Sequence, residues 1–185
     1  MKKITKIGLI VTKIAEIFHW GATALMFVAT ICAFAAPSWV GRFVELDAKE
    51  CCGTNLSTYG FEIHVAFENE KVDSTAFLLF GIGAILILIM MSFIFRNLYQ
   101  LIKNSKNSTP FQTRNIRALR RVGILAIAVP IVGLIMNVIS RIVLGAEQAE
   151  TSNNFSGLII GIVVLCITEF FIHGITLEND VDGLL

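Results

Sequence analysis

Charge is scarce in this chain. Only 16% of its 185 residues are Asp, Glu, Lys or Arg, whereas a soluble domain carries about a quarter. With 55% hydrophobic residues and a mean hydropathy of +0.75, that deficit excludes a disordered chain and argues against an ordinary soluble enzyme. A net charge of +1 gives no bulk basic surface for nucleic acid. The sequence also lacks a P-loop, a G-x-S-x-G nucleophile elbow and an H-E-x-x-H metal helix. Its four cysteines form no C-x-x-C pair, so they spell no zinc site.

What is present is apolar and falls into four blocks, at about 17–36, 74–95, 122–144 and 157–176. A bilayer core of about 30 Å takes roughly 20 apolar residues of helix. Lipid offers no partners to free backbone groups, so each block is expected to be helical. The expected fold is an all-α integral membrane protein: four transmembrane helices in an antiparallel bundle, forming one membrane domain over residues 1–185. Lys2, Lys3, Lys6 and Lys13 precede the first block. Arg96, Lys103, Lys106, Arg114, Arg117, Arg120 and Arg121 lie between the second and third, with no acid among them. Basic segments stay on the cytoplasmic side. Both termini and the 96–121 loop are therefore expected inside, and the 37–73 loop outside. One competing reading makes Met1-Lys2-Lys3, an apolar run and Ala33-Phe34-Ala35 a signal peptide with its cleavage site.

The outer loop carries Cys51 and Cys52. They are open to three readings: a strained vicinal disulfide, pairing with another chain, or two reduced thiols. Phe61 to Phe67 begins by alternating apolar and polar residues, which predicts a short strand, with His64 at its surface. In the middle loop, Ser108-Thr109-Pro110 offers a cap followed by a proline at a first helical position. From Phe111 the chain runs into the third block without a breaker. The arginines there suit anionic lipid headgroups or an acidic cytoplasmic partner. Gly157 and Gly161 suit close helix packing, Pro130 predicts a kink in the third block, and Asn137 a bridge to a neighbour.

One polar cluster stands out. Glu169 is the lone acid within a span, and an intramembrane carboxylate is a functional hypothesis by default. His173 lies four residues on, along the same helical face. Glu16 and His19 share a face of the first helix, at matching depth. If the helices are neighbours the four converge, as a structural polar network, as a proton-responsive switch, or as a haem or metal site with Glu-x-x-His spacing. The structural network is the first expectation, and no metal or cofactor is assigned.

Two stretches carry a resemblance. Pro110-Phe111-Gln112-Thr113-Arg114-Asn115 continues to Leu119-Arg120-Arg121-Val122-Gly123, and Thr168-Glu169-Phe170 runs through Gly174 to Leu177-Glu178-Asn179-Asp180. Within a chain of four spans, they resemble a bacterial family of small membrane proteins that share a domain of unknown function. The resemblance covers mainly residues 74–182 and includes neither His19 nor His173. It departs from the family's usual ending at Val181-Asp182-Gly183-Leu184-Leu185. It implies a multi-pass protein of the bacterial cell membrane, many of whose relatives are encoded beside an Xre-type helix-turn-helix regulator.

Both motifs fall on the expected cytoplasmic face. Phe111, Asn115, Arg117, Arg120 and Arg121 precede the third span, and Glu178, Asn179 and Asp180 follow the fourth. Their charges predict a clasp between the last two helices, or a surface for a partner. The expected function is non-enzymatic sensing or signalling that controls a cytosolic DNA-binding regulator. The alternative is a small proton-coupled transporter or immunity-type protein using Glu169, and the third choice is a haem- or metal-binding protein. A homo-oligomer is a further expectation.

Overall fold

A computed structural model describes residues 3–40, 53–68, 71–104, 113–145 and 156–182. Four helices dominate it: α1 (Lys3–Ala35), α2 (Ser74–Asn104), α3 (Thr113–Leu144) and α4 (Ser156–Asp182). Each contains a stretch long and apolar enough to cross a membrane. The helices outrun the apolar blocks because their polar flanks continue the same backbone hydrogen bonds. α1 begins at Lys3 rather than near 17, and α2 continues past 95 to Asn104.

The chain is mostly helical rather than wholly so. Between α1 and α2 lie strands β1 (Gly53–Thr58), β2 (Phe61–Glu68) and β3 (Lys71–Val72), joined in the order β1-β2-β3 with both pairings antiparallel. The alternation from Phe61 is real and extends to Glu68. Phe61, Ile63 and Val65 are fully buried on one face. On the other, His64 sits opposite Asn55 and its Nδ1–H donates to Asn55 Oδ1 at 2.6 Å. Tyr59 and Gly60 turn the hairpin with φ of 46° and 87°, the positive pair that a two-residue type I′ turn requires. Cys51 and Cys52 lie outside the described residues, as does the Ser108-Thr109-Pro110 cap.

Contacts divide the chain into two compact units. The first comprises Met1–His19, Met90–Ala128 and Phe155–Leu185, and the second Trp20–Ile89 and Val129–Asn154.

In the first unit, α3 and α4 meet at two glycines. A Cβ on Gly161 would stand 2.8 Å from the Gly123 carbonyl oxygen and 2.9 Å from the Ile127 nitrogen. Both are closer than any real side chain permits, so the main chains touch. Thr168 is buried, and its hydroxyl donates to the Val164 carbonyl at 2.7 Å. That back-bond satisfies a polar group inside an apolar helix.

In the second unit, β2 lies along the first turns of α2. The Phe61 ring stacks on Phe80 with centroids 5.7 Å apart and fills the space a Cβ on Gly83 would need. At the other end of the strand, Asp73 N–H donates to the Ala66 carbonyl at 3.1 Å. Asp73 then caps α2, its Oδ1 accepting from Thr75 and Ala76 N–H at 2.9 and 3.2 Å, as an acid at a helix start should. Gly81 presses against the Thr30 side chain of α1, and Ser74 Oγ donates to the Ala33 carbonyl at 3.3 Å. Pro130 sits inside α3 without ending it. Gly145, at φ 93°, closes that helix with a hydrogen bond to the Arg141 carbonyl, the left-handed cap glycine favours.

Candidate functional site

Polar chemistry gathers in the first unit around a cavity of about 400 Å³. Three helices line it. α1 contributes Lys13 and Glu16, three residues apart and so on one face. α2 contributes Arg96, Tyr99, Gln100 and Lys103, spaced as one helical stripe, together with Asn104. Arg114 enters from the start of α3. The stripe exists because α2 continues as helix beyond its apolar block.

The electrostatics are lopsided. Lys13 Nζ pairs with Glu16 Oε2 at 2.9 Å, which gives the buried carboxylate its partner. Lys13 and Lys103 both lie over the Tyr99 ring, at 5.3 and 6.0 Å from its centroid, within cation–π reach. Among the described residues no carboxylate pairs with Arg96, Lys103 or Arg114. Among the described residues that line the cavity, Glu16 is the single acid beside four cations.

The two expected polar pairs differ in placement. Glu16 and His19 are buried. His19 Nδ1–H donates to the Ala15 carbonyl at 2.7 Å, which fixes the tautomer, and the ring lies 4.9 Å from that of Phe95. Glu169 and His173 are exposed on α4. The two pairs therefore lie in different environments. Among the described residues no group of three or more His, Cys, Asp or Glu is placed to hold a metal ion.

Asn115, in the first turn of α3, is buried, while Arg117, Arg120 and Arg121 are exposed. Phe111 lies outside the described residues. Glu178, Asn179 and Asp180 fall within α4, but their side chains are not described, so the clasp lies outside what the structure defines. The residues that sequence reasoning missed are Tyr99, Gln100 and Asn104. The sequence assigns Arg96 and Lys103 to topology alone, and Arg114 also to a basic face for lipid headgroups or an acidic partner.

Four helices long and apolar enough to cross a membrane, with charge at their flanks save for Glu169 in the fourth, fit a multi-pass α-helical membrane protein. The chain belongs to the DUF2975 family, described as a protein of unknown function, whose model matches residues 58–183. That match takes in β2, all of α2 and α3 and the cavity residues they supply, and it leaves out Lys13 and Glu16. No curated protein matches the chain, and no solved structure does.

Proposed function

We propose that this is a non-enzymatic protein of the bacterial cell membrane that senses or signals, with both termini and the 96–121 connection in the cytoplasm. In this reading it controls a cytosolic DNA-binding regulator of the Xre helix-turn-helix type, as the family resemblance implies. The observation that carries the reading is the collection of Lys13, Arg96, Lys103 and Arg114 from three helices around one cavity, with Arg117, Arg120 and Arg121 exposed on the following turns of α3. Such a basic end belongs inside the cell and offers an acidic partner a surface.

The test has two parts. A reporter fused near Lys106 should be cytoplasmic; an external signal ends the proposal. Purified chain should then retain the helix-turn-helix protein encoded beside it, and Arg117→Glu with Arg120→Glu should release it. Retention that ignores both substitutions counts against this surface.

A second copy of the chain is the partner we assign to α4. Glu169, His173 and Cys166 stand exposed along one helical stripe, and a lipid-facing carboxylate is costly unless something covers it. Cross-linking through Cys166 in native membranes should give a dimer. Proton-coupled transport through Glu169 is the weaker alternative, because that use needs the carboxyl in an enclosed path.

A further inference from the structure

We propose that the cavity of the first unit is a binding site for a phosphate-bearing anion, held by Arg96, Lys103 and Arg114 with Lys13 at its rim. The assignment names the signal for the sensing role above and rests on that reading for its purpose; the binding itself stands on geometry alone.

Cations gathered without counterions repel one another, and the arrangement is relieved only when a negative group arrives. Here, among the described residues, the one lining carboxylate is already engaged by Lys13, which leaves Arg96, Lys103 and Arg114 with no carboxylate partner among those residues. A single carboxylate would neutralise only one of them. A phosphate monoester brings a charge of about −1.5 to −2 and three acceptor oxygens. The guanidinium groups of Arg96 and Arg114 offer paired donors in the fork that suits such oxygens. Gln100 and Asn104 add amide donors and Tyr99 a hydroxyl. A volume of about 400 Å³ admits a headgroup or a small phosphate ester but not a folded domain. The cavity also sits where α1, α2 and α3 pass from apolar to charged sequence, the level at which lipid headgroups lie.

Two sources share this chemistry, a phospholipid with a monoester headgroup (phosphatidic acid) and a soluble phosphate monoester. The full chain in detergent is titrated with inorganic phosphate and with glycerol 3-phosphate. It is also reconstituted with phosphatidic acid or phosphatidylcholine, and retained lipid is counted by native mass spectrometry. We expect anion binding that weakens with salt and falls about tenfold or more in Arg96→Gln and in Lys103→Gln, while Arg141→Gln, an equal charge loss elsewhere, leaves it unchanged. Glu16→Gln frees Lys13 and should tighten binding, a gain that a misfolded variant cannot mimic. Saturable binding of the soluble probes identifies a free phosphate. Selective retention of phosphatidic acid identifies a headgroup. If neither probe class distinguishes Arg96→Gln from Arg141→Gln, the site is overturned. Capture of the regulator without any phosphate binding would sink this proposal and spare the sensing reading; phosphate binding without capture would do the reverse.

Discussion

The two compact units handle polar groups in opposite ways. The first keeps them charged and near water: Lys13, Arg96, Lys103 and Arg114 open onto a cavity, and the buried Glu16 has its cation. In the second, the polar side chains buried among the described residues (Thr23, Thr30, Asn137 and Ser140) are all neutral. Thr30 back-bonds to the Met26 carbonyl at 2.8 Å, and Asn137 and Ser140 are buried on α3 with their side-chain polar atoms unpaired. Its sheet turns an apolar face, Phe61, Ile63 and Val65, inward against helices. The lesson is that one helix can serve two purposes along its length: α1, α2 and α3 each pass from chemistry that invites an ion to packing that excludes one.

The contrast can be broken most forcefully at Phe61. Phe61→Ala removes a fully buried ring from between β2 and α2 and should cost about 3–5 kcal/mol. Denaturant unfolding of the detergent-solubilised chain reads it, and an unchanged midpoint would mean that the sheet is no part of the core. Gly161→Ala comes next. It forces α4 away from the α3 main chain, for about 1–3 kcal/mol. Gly21→Ala meets nothing within 4 Å and should be neutral or stabilising by up to about 1 kcal/mol; equal effects at the two positions would deny the close approach.

Smaller changes sharpen the comparison. Asn137→Leu replaces an unpaired buried amide with an apolar group of similar size, so the melting point should rise, by roughly 1 kcal/mol of stability. A loss instead would reveal that the amide has a partner. The smallest effect concerns the half-exposed Tyr59, whose phenol partial burial pushes above its ordinary value. The folded hairpin thus holds that proton more firmly than the unfolded chain does. The associated stability is complete below the ordinary tyrosine range near about 10 and is lost as pH climbs through and past it. Tyr59→Phe should remove that part of the alkaline decline in a pH series of melts.

The helices were legible because apolar runs of bilayer length leave the backbone one way to satisfy itself. β2 was legible from its alternation. β1 was not, since Gly53-Thr54-Asn55-Leu56-Ser57-Thr58 is nearly all polar and takes its strand conformation from its neighbour. Tyr59-Gly60 also lacks the Asn or Asp that usually announces a type I′ turn. The cavity was hidden for a different reason. Ending the second span at 95 placed Arg96, Tyr99, Gln100 and Lys103 in a loop, where their helical spacing carries no information. The pairing of Glu16 and His19 with Glu169 and His173 rested on matched depth. Depth cannot tell which side of α4 those residues occupy, because that helix is apolar all round and its sequence marks no inward face.

The glycine crossing of α3 and α4 carries a mechanical consequence. The Leu165 side chain occupies the notch at Gly123 and that of Ile127 the notch at Gly161, so the two rods interlock as well as touch. Sliding one along the other would have to lift both side chains out of their seats. The crossing is therefore a fixed register mark, the point from which the free ends of α3 and α4 can splay.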